Sequence, residues 1–325
     1  MRKIFLCGLF VVMTLALSAQ EIATKWNDHN LFLGASLGLL SGKSDEIVYR
    51  NASTKNKLSQ LLWDIKPLVY AGIDINYHWQ KPENTWSIFA NTSFKFGFPG
   101  KTGVLEDRDW MASEYPQFLT HYSMHDNKTE NAVFIDASAG ASFQIFGQFL
   151  LKPSISYNVM HFYWEANGGS LLYPDSYGGH GYLRPIDVIT YKQTWHIISP
   201  GVAFYGEFNR YFNAEIAFKI SPLIWCIGED DHILRDLTIT TDNLAIGLFI
   251  EPSLLFSFIP NIPKDFFTLS LSVLYRNISY VRGDGIYKEL GKPARTVKNI
   301  MGAGYSAFDV GLTARFKLRW PVRQR

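Results

Sequence analysis

The sequence predicts an all-β protein: a ten-stranded antiparallel transmembrane β-barrel that projects above the outer membrane. Three observations carry this expectation. Apolar and polar residues alternate along many stretches. Past residue 20, no run approaches the ~20 apolar residues that a spanning helix needs. The links between the alternating stretches are short and long by turns, as at the two ends of a membrane barrel.

Residues 1–19 read as a secretory signal peptide. Arg2 and Lys3 form its basic start, Ile4 to Leu17 its apolar stretch, and Leu17-Ser18-Ala19 ends on a small residue suited to cleavage. The apolar stretch is too short for a membrane anchor. Residues 20–325 then form one barrel domain, with no linker or break in composition. The chain carries 31 basic and 29 acidic residues, and loss of Arg2 and Lys3 leaves 29 of each. A chain without net charge offers a phosphate backbone little, so no nucleic-acid partner is expected. Cys226 is the one cysteine outside the leader, and on an apolar stretch it reads as a small buried hydrophobe.

The last strand is the plainest. Phe308, Val310, Leu312, Ala314, Phe316, Leu318 and Trp320 alternate with Asp309, Gly311, Thr313, Arg315, Lys317 and Arg319. Successive strand side chains point to opposite faces, so one face is apolar and the other wet. In an outer-membrane barrel the apolar face meets lipid and the polar set fills the lumen. Phe212 to Ile220 and Phe267 to Tyr275 repeat the pattern, which puts Glu215 and Lys219 inside, where they can pair.

The ten candidate strands are 31–50, 57–79, 85–104, 132–146, 149–169, 189–209, 211–232, 244–259, 266–285 and 306–320. An even count suits antiparallel closure. Short turns fall near Gln80-Lys81-Pro82-Glu83, Phe146-Gly147-Gln148, Asn209-Arg210 and Pro260-Asn261-Ile262-Pro263. Long loops are expected over 105–131, 170–188, 233–243 and 286–305. Several strands exceed the ~9–11 residues that cross the hydrocarbon, hence the projection. Trp79, Trp86 and Trp164, near strand ends, are expected to anchor at the membrane interfaces.

Two acidic clusters stand where long strands meet loops: Glu106-Asp107-Arg108-Asp109-Trp110 and Glu229-Asp230-Asp231-His232. In extended chain, residues i and i+2 share a face, so Asp107 can point with Asp109 and Asp230 with His232. A carboxylate beside an imidazole orients the ring and stabilises its protonated form, and the imidazole can take a proton from water. Two adjacent aspartates resist joint ionisation, so one can keep a proton near neutral pH. Solvated loops carry such clusters too, and calcium binding is another ordinary use of them. Spacing alone does not choose.

At these residues the chain resembles the omptin family of outer-membrane endopeptidases. The resemblance rests on Ser41-Gly42-Lys43 with Glu46 and Val48-Tyr49, on Leu58-Ser59-Gln60-Leu61-Leu62-Trp63, and on Asp107-Arg108-Asp109-Trp110-Met111. Gly168-Gly169-Ser170, Tyr191-Lys192-Gln193 and Asp230-Asp231-His232 extend it through most of the chain. It implies a vase-shaped barrel in the outer membrane that cuts peptide bonds next to basic residues, its active site facing outward, with no metal or cofactor. The catalytic residues it implies are Asp107, Asp109, Asp230 and His232. Glu46 is implied as an acid of the pocket for the residue before the cut. Peptides or proteins, above all cationic ones, are the implied substrates, and lipopolysaccharide an implied partner.

This chain also departs from the family's pattern. The second acid of that pocket corresponds to Gly228, with Glu229 next to it as a candidate substitute in substrate binding. The acid of the pocket after the cut corresponds to His121. Leu150 and Thr194 stand at two positions of the family's lipid-binding arginines, so dependence on lipopolysaccharide is in doubt. These changes leave a rival reading: a non-catalytic barrel adhesin that binds host proteins through its long loops. Retention of all four catalytic positions favours the enzyme. A passive pore is the poorest fit, since ten strands leave a narrow lumen that side chains can fill. His125 and His161 are expected near the groove as bystanders.

Overall fold

The computed structural model describes residues 29–80, 84–177, 179–209, 211–259 and 266–318. The leader, Trp320 and parts of three short turns lie outside them. The strands are β1 (His29–Tyr49), β2 (Lys57–Trp79), β3 (Trp86–Gly97), β4 (Gly100–Asp109), β5 (His121–Phe146) and β6 (Phe149–Leu172). They continue as β7 (His180–Asn209), β8 (Phe212–His232), β9 (Leu237–Phe258), β10 (Phe267–Glu289) and β11 (Arg295–Leu318).

β3 and β4 are two halves of one stave. Both pair with β2 on one side and β5 on the other. Pro99, which has no N–H for a ladder, sits between them. Every pairing is antiparallel, and β11 closes the ring on β1 from Leu31↔Leu318 to Val48↔Met301. The ten-strand expectation is met, with one stave interrupted where the sequence reads as continuous.

Alternation sorts the two faces of the lower barrel. Leu33, Leu37, Ile73, Ile75, Ile216, Phe218, Ile220, Phe308, Val310 and Leu312 point outward and are exposed, a surface suited to lipid. The inward set is charged and paired. Lys95 meets Asp309 at 2.7 Å, Lys219 meets Glu251 at 2.7 Å, and Arg315 meets Asp74 at 2.9 Å. Arg276 joins Glu251, and Lys152 joins Glu215. A buried charge without a partner costs several kcal/mol, so only a balanced set can fill the lumen.

The long loops are the main correction. β4 runs on to Asp109 and β5 begins at His121, so the link is 110–120 rather than 105–131. The other links shrink to 173–179, 233–236 and 290–294. Most of the segments expected as loops extend the ladder above the membrane. There the outer face meets water and carries pairs such as Lys101–Asp126 (2.8 Å), so the apolar alternation that marks a membrane strand is absent.

Trp63 of β2, Trp164 of β6 and Tyr191 of β7 stack across the lumen at ring-centroid distances of 5.7–5.8 Å. Phe162 packs on Trp164 at 4.7 Å. All four are fully buried. Trp164 is therefore a core residue and not an interface anchor: residues 160, 162, 164 and 166 form the inward set of β6. Trp79 and Trp86 do meet edge to face at 5.4 Å, at the opposite end of the barrel from the acidic clusters. Leu150 lies near that end too. It follows the Gly147 turn and shares a parity with inward Lys152, so it is not on an outer-leaflet surface.

Candidate active site

Strand parity decides which side chains enter the cleft. On β4, Leu105, Asp107 and Asp109 are buried, while Glu106 and Arg108 pair with each other on the other face. On β8, Gly228, Asp230 and His232 point inward, and Glu229 and Asp231 outward. β1 contributes Glu46, opposite Leu61 of β2 and Ala303 of β11. β4 and β8 lie on opposite walls of the ring, so the acids of one face the Asp–His couple of the other.

His232 Nε2 lies 2.8 Å from Asp230 Oδ2. Two chambers flank this couple. One, of about 140 Å³, is lined by Glu46, Asp109, Asp230, His232, Arg235 and Tyr287 among others. The second, of about 210 Å³, is lined by Asp107, His125, Tyr173, Leu183, His232 and Arg235 among others. Asp107, Asp109, Asp230, His232 and Glu46 thus converge on one cleft.

Glu229 does not join them. It sits on the outer wall in a 2.7 Å ion pair with Lys192, so it cannot replace the acid missing at Gly228. A side chain at 228 would instead meet Thr241 Oγ1 and the Tyr191 hydroxyl. His161 is also on the outer wall, bonded to Thr194 at 2.9 Å, and not near the groove. His125 is in the groove, held by Ser123 (2.9 Å) and the Gly168 carbonyl. Cys226 is buried on the inward face of β8.

The charges perturb one another. Burial, reinforced by Asp109, pushes the Asp107 carboxyl up to about 7, although His232 and Arg235 pull the other way. Burial raises Glu46 well above the usual carboxylate range, and Asp230 and Asp107 add to that. Burial alone would lower the His232 pKa. The charge and hydrogen bond of Asp230 outweigh it and raise the ring above its usual 6.5. Asp107 Oδ1, Asp230 Oδ1 and both Glu46 oxygens are buried without a hydrogen bond among the described residues. Buried polar atoms are rarely left so, and where they are, a ligand or water is the ordinary partner.

Sequence reasoning missed Arg235, which lies three residues past His232 in the 233–235 turn and lines both chambers. It also missed the aromatic layer beneath the cleft. The signal was present: Leu61, Trp63 and Ile65 share a parity on β2 and are all buried.

A closed barrel with an apolar outer belt, topped by a water-facing cleft that gathers an Asp–His couple and an aspartate pair, has the build of an outer-membrane barrel with its site held above the bilayer. The model of the Omptin family matches residues 27–318, and the chain belongs to that family. The plasminogen activator of Yersinia pestis is 29% identical over 68% of this chain and 69% of its own. The outer membrane protease IcsP of Shigella flexneri is 25% identical over 94% and 96%. The crystal structure of the outer membrane protease OmpT from Escherichia coli superposes with a TM-score of 0.79, at 20% identity, over 91% of this chain and 99% of that one. The protein is a peptide hydrolase of the omptin type, seated in the outer membrane with its loops outside the cell.

Proposed function

We propose that Asp230 and His232 activate the attacking water while Asp107 and Asp109 manage the opposite proton. The observation that carries this is the 2.8 Å Asp230–His232 contact in a cleft shared with both aspartates. Nε2–H donates to Asp230, which leaves Nδ1 to accept from water. As the water oxygen bonds to the scissile carbonyl carbon, its proton passes to Nδ1 and Asp230 steadies the imidazolium. A proton held on Asp107 donates to the developing oxyanion. Collapse breaks the C–N bond, the amine leaves with a proton from His232, and the other product is a carboxylic acid. No metal or cofactor enters this scheme.

Glu46 is the proposed binding group for a basic residue before the cut. Its two unbonded, buried oxygens would gain hydrogen bonds and a counter-charge from a lysine or arginine end. The substrates are accordingly cationic peptides or exposed cationic loops.

The test uses the folded barrel and a set of lysine- and arginine-containing peptides. His232→Ala and Asp107→Asn should each abolish cleavage while the barrel keeps its resistance to heat. Full activity in either variant rejects the assignment of roles.

A further inference from the structure

The two chambers beside the Asp–His couple differ in chemistry. The Glu46 chamber contains acids on several walls. The other takes Asp107 from the reacting set, and otherwise its lining holds no carboxylate. Leu171, Leu183, Val188, Ile189 and Leu234 supply the aliphatic part of its lining. Val188 and Ile189 are buried, and Leu183 packs against the main core, so this wall is fixed rather than formed on binding. Besides Asp107 and His232 of the reacting set, the ionisable nitrogen groups of its lining are Arg235 and the buried His125. Burial lowers the His125 pKa, which favours the neutral ring. His121, where the family resemblance implies an acid, stands edge-on to the Tyr173 ring at 4.9 Å and supplies no negative charge.

A lysine or arginine entering here would shed water, face Arg235 and find no acid beyond the one needed for chemistry. A leucine, valine or phenylalanine would replace water along a preformed apolar wall. We propose that this chamber receives an apolar side chain from the residue after the cut, so that the preferred bond runs from a basic to an apolar residue. The inference rests on the reading that Glu46 takes the residue before the cut. Leu183 and Leu234 are the specificity-determining positions, one on the wall and one at the mouth.

The experiment offers the folded protein, in detergent micelles, a peptide set with fixed flanks and a central Lys-Leu, Lys-Lys, Lys-Glu or Leu-Leu bond. Products are read by mass spectrometry. The Lys-Leu bond should be cut about 10-fold faster than Lys-Lys, or more, since burying a charged end without a partner is disfavoured at least that strongly. Leu183→Asp and Leu234→Glu should both shrink that ratio by raising Lys-Lys cleavage. Leu234 is exposed in a turn, so its variant keeps the test alive should an aspartate at 183 prevent folding. Equal or faster cleavage at Lys-Lys by the unaltered protein, or a ratio unmoved in Leu234→Glu, overturns the inference and leaves the peptidase reading intact. Absence of cleavage at every bond overturns the peptidase reading, and this inference with it.

Discussion

His232 carries the pH dependence of the proposed reaction. The neutral ring is the active form, and its pKa stands above 6.5 because of Asp230. Activity is therefore lost as pH falls through that raised value. Asp230→Asn leaves burial as the dominant influence, so the acid limb should move below pH 6.5. The maximal rate should fall about 10³–10⁴-fold as the ring loses its orienting charge. A pH–rate profile with ring NMR of His232 checks both. Glu46→Gln should cost activity on basic peptides yet stabilise the fold. Its carboxyl has a raised folded pKa, so the native state loses stability as pH rises through that pKa, and the amide escapes this. Thermal unfolding should therefore favour the variant clearly at pH 8 and little near pH 4. Glu229→Ala should change kcat/KM less than about 5-fold, as befits an exposed pair worth at most about 1 kcal/mol. The i, i+2 rule that joined Asp230 to His232 also separates Glu229 from Gly228. The position of Glu229 was thus legible in the sequence, and proposing it as a substitute acid overlooked parity.

The strands were legible wherever one face meets lipid and the other does not. The Phe308–Leu318 stretch shows this, its apolar set outward and Asp309 inside against Lys95. Above the membrane the outer face meets water, and where the inner face is polar too the period-2 signal fades while the backbone ladder continues. On upper β5, His121, Ser123, His125, Asn127 and Thr129 point in, and Tyr122, Met124, Asp126 and Lys128 point out. Neither set is apolar, so hydrophobic periodicity had nothing to detect. The stave break at Phe98-Pro99 was missed because Phe94 and Phe96 continue the alternation up to it. Hydrogen exchange should expose the difference between ladder and loop. Amides of 103–109 and 121–129 should exchange as slowly as those of the membrane strands, while 112–117 exchange freely. Rapid exchange throughout 105–131 would restore the loop reading.

At the scale of the molecule, the barrel is held by its closed ladder and by what fills it. Trp63→Ala removes the ring that contacts both Trp164 and Tyr191, and should destabilise the protein by about 3–5 kcal/mol. Denaturant unfolding by tryptophan fluorescence measures this. On the outer wall, His161 and Thr194 bond to each other where the resemblance implies a lipid-binding arginine. Refolded protein should therefore cut peptides in micelles free of lipopolysaccharide. Activity that appears only on adding the lipid would reverse that expectation.

The stacked Trp63, Trp164 and Tyr191 make the vessel blind at its base. Planar-bilayer recordings should show no steady current, for hydrated ions have no passage between rings packed face to face. Traffic in and out of the cleft then uses one door, so the fragments it makes depart into the surroundings of the cell. Proteins of the periplasm remain out of its reach.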